Sequence, residues 1–176
     1  MQNLQPTLYG NLIKLQPLQP DDFTRLFAVA ADPLIWEQHP ANDRYQEPVF
    51  RQFFNEGIAS GGAFLILDAE SGQVIGSSRF CNYLAETNEI EIGYTFLSRA
   101  YWGGRYNAEL KALMLQHAFQ FVDSVVFVVG AHNFRSQQAV MKLGANADPA
   151  SKKDLEKIVF RLRKEDFLAN PLRYSK

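Results

Sequence analysis

Residues 89–107, EIEIGYTFLSRAYWGGRYN, join two segments with different hydrophobic periods. In the first half, isoleucine and tyrosine alternate with glutamate and glycine, and this period of two predicts a strand over residues 89–97. Residues 108–121, which follow, repeat apolar side chains at spacings of three and four and so predict a helix. The turn between them contains Gly103, Gly104 and Arg105, with Arg99 close by. Backbone N–H groups and the positive end of the helix dipole converge at such a turn, which we interpret as a site for the diphosphate of a nucleotide-derived cofactor.

The segments on both sides of this unit predict a mixed α/β fold. Strands are predicted over residues 11–18, 63–68, 74–82, 124–129 and 158–163, and helices over residues 47–58 and 133–143 and after Asp21. The strands at 63–68, 74–82 and 89–97 are joined by short connections, which favour an antiparallel meander. The apolar run 124–129 follows a helix instead, and it is typical of a buried strand that lies parallel to its neighbour. No segment reads as a linker, so we expect residues 1–176 to form one domain.

The composition restricts the class of protein. Of 176 residues 47% are apolar, which is enough for a core, and 18 basic side chains nearly balance 19 acidic ones. This balance argues against nucleic acid or an anionic membrane surface as a partner, and no apolar run reaches the ~18–20 residues that span a bilayer. Cys81 is the sole cysteine, so we expect a buried structural thiol, no intrachain disulfide and a reducing, cytoplasmic location. His39, His117 and His132 lack the spacing of metal ligands, so we expect no metal site.

Three motifs, in order along the chain, resemble those of the GNAT acyltransferase superfamily. They are IEIGY at residues 90–94, YWGGRYN at 101–107, and NFRS at 133–136 with KLGA at 142–145. The first resembles the central strand of that family, the second its pyrophosphate loop, and the third its N-x-x-S…K-L-G-F segment. The branch that the chain most resembles is the RimJ/RimL type of ribosomal-protein N-terminal acetyltransferase. This resemblance implies a mixed, mostly antiparallel central sheet of about six to seven strands flanked by about four helices.

The pyrophosphate loop departs from the family pattern Q/R-x-x-G-x-G/A. When this pattern is placed on residues 102–107, Arg105 stands at the first glycine and Asn107 at the second glycine or alanine. We expect Gly104 to relieve the backbone one position early, with Asn107 adopting an unusual dihedral or capping the helix. The alternative is a turn whose glycines serve packing alone.

The resemblance implies that the cofactor is acetyl-CoA, an acyl derivative of coenzyme A. Its pantetheine arm would pair like an added strand with the main chain of residues 94–96, and the amides of residues 103–108 would hold the diphosphate. Arg135 either contacts a further phosphate or is an exposed surface arginine. The cofactor-binding residues implied in this way are Tyr94, Thr95, Phe96, Trp102, Gly103, Gly104, Arg105, Tyr106, Asn107, Ala108, Asn133, Arg135 and Ser136.

The resemblance also implies that an amine attacks the thioester carbonyl directly, with Glu91 and Ser136 as the catalytic candidates. The attacking amine must be neutral, and Glu91 resembles the acid on the family's central strand that accepts the proton. The alternative for Glu91 is a structural acid on the strand face. Ser136 would hydrogen-bond the leaving sulfur or, alternatively, cap the helix. Many relatives have a tyrosine four residues after this serine; here the position is Val140, so the usual general acid is missing.

The acceptor would lie between the aromatic loop 36–45, the second predicted helix and residues 77–80. The substrate-binding candidates there are Trp36, Tyr45, Ser78 and Phe80. The predicted function is acetyl transfer to a primary amine, in a small molecule or at a protein N-terminus. Two alternatives stay open: a non-catalytic acyl-CoA-binding or regulatory module, and a partner-binding domain without a cofactor. A monomer and a homodimer both fit the sequence.

Overall fold

The computed structural model describes residues 3–149 and 156–170. Within these ranges eight strands form one sheet: β1 Leu8–Tyr9, β2 Ile13–Pro17, β3 Ala63–Asp68, β4 Val74–Leu84, β5 Glu89–Leu97, β6 Ser124–Gly130, β7 Asn146–Ala147 and β8 Lys157–Arg163. The same ranges contain five α-helices: α1 Phe23–Ala30, α2 Glu47–Ser60, α3 Arg105–Ala118, α4 Phe134–Lys142 and α5 Lys164–Ala169.

The strand order across the sheet is β1-β2-β3-β4-β5-β6-β8-β7. Neighbouring strands are antiparallel except β5 and β6, which are parallel because the chain crosses back through α3 between them. The predicted mixed, mostly antiparallel fold is therefore confirmed. The sheet has eight strands where we expected about six to seven, since β1 and β7 have two residues each and are too short to show an alternating pattern.

The two faces of the sheet carry separate apolar cores. Phe64 and Ile66 of β3 pack in one core with residues of α3 and α4, whereas Leu65 and Leu67 pack in the other with residues of α1 and α2. We call these sides the α3 face and the α2 face. Because both faces of the central strands are covered, alternate side chains of β4 and β5 reach two different chemical environments.

The β5 strand separates from β6 part of the way along its length. The two strands pair only over residues 89–91, opposite residues 124–126, while β6 continues to pair with β8 as far as Gly130. On its other side, β5 contains a bulge against β4, where two residues, Tyr94 and Thr95, lie opposite Ser78. Tyr94 has a φ of 55°, and a bulge of this kind bends a strand. Beyond Ile92, the edge of β5 that faces β6 has no strand partner within the described ranges.

Candidate active site

The turn that follows β5 places a helix N-terminus beside this free strand edge. Gly103 has a φ of 78°, the left-handed conformation that glycine adopts without strain, and Gly104 is the N-cap residue of α3. A Cβ atom added to either glycine would meet no atom within 4 Å, so the space in front of the helix is open. The N-cap makes no side-chain hydrogen bond to the first turn. The first-turn amides of α3 therefore have no side-chain cap from Gly104, and an uncapped helix N-terminus beside open space can bind an anion.

This geometry corrects the expected roles of two residues in the turn. The left-handed residue is Gly103 rather than Gly104, and Asn107 lies inside the first turn of α3 with ordinary helical geometry. The reason is that α3 begins at Arg105, three residues before the apolar period that predicted it. Arg105 is consequently the first residue of the helix, and its side chain is exposed. Because its backbone is helical, this position does not require the glycine of the family pattern.

A second helix N-terminus lies at the same edge of the sheet. The Asn133 side chain is buried and caps α4, because its Oδ1 accepts a hydrogen bond from the Ser136 N–H at 3.2 Å. Asn133 is thus the residue whose side chain caps the helix, and Ser136 takes part in the cap through its backbone N–H. Since α3 follows β5 and α4 follows the parallel strand β6, both N-termini lie where these strands end and separate.

Arg135 links the turn before α3 to the loop that follows α1. Its guanidinium lies 3.8 Å from the ring centroid of Trp102, and its Nη2 donates to the carbonyl of Ile35 at 3.1 Å. The Trp102 indole in turn donates to the carbonyl of Leu97 at 2.9 Å. Burial lowers the pKa of Arg135 from its usual value, although the side chain stays cationic at neutral pH. The residue therefore has protein partners and also adds a positive charge close to the α3 turn.

Glu91 lies on the α2 face of β5, since its neighbours Ile90 and Ile92 pack in the other core. The residue is buried, and its Oε2 accepts a hydrogen bond from Asn82 Nδ2 at 2.7 Å. Gly93 leaves space for it, because a Cβ atom there would lie 2.7 Å from Glu91 Oε1. Burial, and then the adjacent Glu91 carboxylate, raise the pKa of the Cys81 thiol to about 12, so this cysteine is a neutral thiol at physiological pH.

A buried chain of three polar side chains occupies the α3 face of the bulge. Lys111 Nζ donates to Thr95 Oγ1 at 2.6 Å, and Thr95 Oγ1 lies 2.7 Å from Ser78 Oγ. Burial lowers the pKa of Lys111 to about 7. The sequence reasoning did not identify Lys111, although a lone lysine between Leu110 and the apolar residues of α3 was a usable signal.

The four residues expected to contact the acceptor lie in three different places. Trp36 is buried on the α2 face, with its ring 4.9 Å from that of Phe96 and its Nε1 donating to the carbonyl of Ala30. Tyr45 is exposed. Ser78 and Phe80 belong to the α3 face, where Phe80 packs against Phe64, so the structure does not bring them together with Trp36.

Two arginines that were not selected from the sequence lie on the α2 face, the side of the sheet that also carries Glu91. Arg79 is the residue between Ser78 and Phe80, and it therefore points to the side of the sheet that carries α2. Arg44 belongs to the aromatic loop at residues 36–45. The guanidinium groups of Arg44 and Arg79 both lie against the ring of Phe53. In the sequence, Arg79 is a charged residue among the apolar and small side chains of β4, and this was the signal that could have identified it.

Comparisons with known proteins identify the family. The sequence profile described as the acetyltransferase (GNAT) domain matches residues 13–146, so the chain belongs to the GNAT acetyltransferase family. An acetyltransferase from Agrobacterium tumefaciens has a similar structure, with 26% identity, a TM-score of 0.73 and coverage of 90% of this chain and 95% of that one. A search of curated protein sequences found no match.

Two further solved structures share the fold. One is a protein of T. thermophilus described as an acetyltransferase, with 24% identity, a TM-score of 0.80 and coverage of 99% and 98% of the two chains. The other is Mycobacterium smegmatis RimJ in complex with CoA-disulfide, with 15% identity, a TM-score of 0.71 and coverage of 94% and 95%. Within the described part of the chain, every helix falls short of what a bilayer-spanning segment requires in length or apolar character.

Proposed function

We propose that this protein transfers the acetyl group of acetyl-CoA to a primary amine, in a small molecule or at a protein N-terminus, by direct attack of the amine on the thioester. The observation that carries the proposal is the free edge of β5, which lies between the N-termini of α3 and α4. An extended ligand arm can pair with such an edge while a diphosphate binds the helix amides. The RimJ/RimL-like branch is part of the proposal and rests on the motifs at residues 90–94, 101–107 and 133–136.

The residues present fit a coenzyme A diphosphate. The open space in front of Gly103 and Gly104 admits phosphate oxygens, and the amides of residues 104–108 are available to donate to them. Tyr94, Thr95 and Phe96 would offer main-chain groups to the pantetheine arm, and we propose that Asn133, Arg135 and Ser136, at the start of α4, contact the same ligand. Bound acetyl-CoA would supply an acetyl group activated as a thioester.

Glu91 is the residue that we propose as the general base. A substrate α-amino group has a reference pKa of ~7.7–8.0, whereas that of a lysine is ~10.4, so an α-amino group loses its proton more readily. The Glu91 carboxylate would accept that proton directly or through one water molecule. Asn82 holds one carboxylate oxygen in place, which fixes the direction of the other. Backbone N–H groups near Phe96 would stabilise the oxyanion that forms during attack.

The leaving sulfur has no tyrosine to protonate it from α4. Val140, at that position, is buried in the core of the α3 face and offers no proton. A simple thiol has a reference pKa of ~8.5, so a thiolate can leave when a hydrogen bond stabilises it, without a strong general acid. The Ser136 hydroxyl, on the first turn of α4, is the group that we assign to this hydrogen bond.

The proposal is tested by thioester consumption with a panel of amines, comparing wild type with Glu91→Gln. We expect the substitution to lower kcat/KM by roughly 10²–10⁴-fold, the range for loss of a general base, while acetyl-CoA still raises the melting temperature. Glu86→Gln is the matched control, since Glu86 is an exposed acid in the β4–β5 connection and its loss should leave turnover unchanged.

Two outcomes would reject the proposal in favour of the alternatives. If acetyl-CoA stabilises the protein but no amine is acetylated, the chain is an acyl-CoA-binding module. If acetyl-CoA produces no stabilisation at all, the chain is a partner-binding domain that uses no cofactor.

A further inference from the structure

Two guanidinium groups share one aromatic wall on the α2 face. The Arg44 Cζ lies 4.5 Å from the ring centroid of Phe53 and 5.9 Å from that of Tyr94. The Arg79 Cζ lies 4.2 Å from Tyr94 and 5.3 Å from Phe53. Burial, and then the charge of Arg79, lower the pKa of Arg44, so the two guanidinium groups interact electrostatically. Two positive charges that share a partly buried site repel one another.

Within the described part of the chain, neither arginine has a carboxylate partner. Arg79 is only 5% exposed; its Nη2 donates to the carbonyl of Phe53 at 3.1 Å, while its Nε has no hydrogen-bond acceptor among the described residues. No ion pair within 4.0 Å involves Arg44 or Arg79 in residues 3–149 and 156–170, and the nearby acids Glu56 and Asp43 act on them only from a greater distance. Burial without a counter-ion is costly for a cation, so the arrangement is suited to receiving an anion.

The imidazole of His39 adds a third donor to the same site. The Ala41 N–H donates to His39 Nδ1 at 2.9 Å, which favours the neutral tautomer with its proton on Nε2. Burial, and then the charge of Arg44, lower the pKa of His39 to about 4, and the ring is therefore neutral at pH 7. Its Nε2 lies 3.3 Å from Arg44 Nη1, which places one N–H donor against another. An oxyanion between them would accept from both.

Arg79 also lies at a suitable distance from Glu91, the proposed base. Cys81 pairs with Glu91 and Arg79 pairs with Gly93, so Arg79 and Glu91 are offset by two residues along the sheet and share a face. At ~3.4 Å per residue, this offset is about 7 Å, which a small molecule can bridge. The loop that carries His39 and Arg44 packs over the end of β6, where Pro40 would lie 2.8 Å from a Cβ atom added to Gly130.

We propose that Arg44, Arg79 and His39 bind an oxyanion of the acceptor, which is therefore a small primary amine carrying a carboxylate or a phosphate a few bonds from its amino group. The assignment rests on the proposed function, because it places the amino group beside Glu91. Guanidinium groups bind both oxyanions through paired, charge-assisted hydrogen bonds, so the two chemistries are alternatives of one site. Cationic acceptors such as polyamines and aminoglycosides do not match it, since they would meet two like charges.

The test measures kcat/KM for matched amines that differ in charge. β-Alanine is compared with β-alaninamide, and phosphoethanolamine with ethanolamine, with spermidine as the cationic reference. We expect the anionic member of at least one pair to be preferred about tenfold or more, and the preferred pair identifies the oxyanion. Equal or better turnover of the neutral and cationic amines would overturn the inference while leaving the proposed function intact.

Substitutions test whether Arg44 and Arg79 cause the preference for an anionic amine. We expect Arg44→Met and Arg79→Met each to raise KM for the anionic amine about tenfold or more, with little change in KM for acetyl-CoA or in turnover of the neutral partner. Arg44 is half-buried, so its variant remains informative if loss of the more deeply buried Arg79 impairs folding. Arg51→Met is the matched control, since Arg51 is an exposed α2 arginine paired with Glu47. Unchanged preference in the folded Arg44→Met variant would contradict the assignment.

A binding measurement separates failure of the inference from failure of the proposed function. Titration calorimetry with phosphoethanolamine and β-alanine against the protein without acetyl-CoA requires no catalysis. Binding that Arg44→Met abolishes and Arg51→Met preserves supports the anion site, even if no amine is acetylated. Binding that both variants retain equally would place the anion elsewhere and overturn the inference.

Discussion

Single side chains determine much of the chemistry on each face of the sheet. Lys111 on the α3 face is 5% exposed and donates to the hydroxyl of Thr95, which in turn contacts Ser78, whereas Arg79 on the α2 face stacks on Tyr94. Neither residue was apparent from the sequence as more than a charge within an apolar segment. Burial changes the meaning of such a charge, because an ionised group without a counter-ion loses its solvation.

Lys111→Met should change how stability depends on pH. The pKa of Lys111 is about 7 in the folded protein and near 10.5 when unfolded, so between these values the unfolded state binds the additional proton. The free energy of unfolding should therefore rise with pH in this window, by up to about 1.4 kcal/mol per pH unit from this group. The destabilisation that comes from burying the charged form of Lys111 is fully present below pH 7. The methionine variant should lack this rise in urea denaturation measured between pH 7 and 10. Lys142→Met, which changes an exposed lysine, is the control, and equal slopes for wild type and Lys111→Met would contradict the burial argument.

The positions of Ser78 and Phe80 show which property of a buried strand a sequence does not reveal. In a strand buried on both faces, the sequence does not tell which alternate set of side chains points to which helix layer, and a shift of one residue exchanges the two sets. Ser78 and Phe80 were selected, but the set that faces α2 contains Arg79 and Cys81 instead.

Among the secondary-structure elements, those with a strong period were predictable and those defined by tertiary contacts were not. The strand at residues 89–97 has the predicted bounds because its alternation is continuous. Helix α3 begins earlier than its apolar period because residues 105–107 remain partly in solvent, so only the local turn geometry marks its start. The bulge at Tyr94 and the separation of β5 from β6 depend on neighbouring strands and leave no pattern in one sequence.

The contribution of the Asn133 cap to the stability of α4 can be tested by substitution. Asn133→Ala removes the oxygen that accepts the Ser136 N–H, and we expect a loss of about 1 kcal/mol in the free energy of unfolding, measured in urea. Asn133→Asp retains an acceptor oxygen and should restore most of the stability. If alanine and aspartate destabilise the protein equally, the side chain acts through packing and not as a cap.

The fold as a whole separates the two substrates of the proposed reaction. The helix N-termini of α3 and α4 and the free edge of β5 form the proposed acetyl-CoA side, and the aromatic wall with Arg44 and Arg79 forms the proposed acceptor side. One continuous sheet connects both, and the family match spans residues 13–146. That residues 1–176 form one acyltransferase domain is part of the proposal. The ordered motifs predicted the family and the proposed cofactor side, whereas the acceptor side depends on loop packing that a sequence pattern does not encode.

A crystal structure of the protein with coenzyme A is the measurement on which the account depends. We predict that the diphosphate oxygens lie within hydrogen-bonding distance of amide nitrogens of residues 104–108, with the pantetheine arm along the main chain of Tyr94, Thr95 and Phe96. Coenzyme A bound elsewhere, or a turn blocked by the Arg105 side chain with no ligand at saturating concentration, would contradict it.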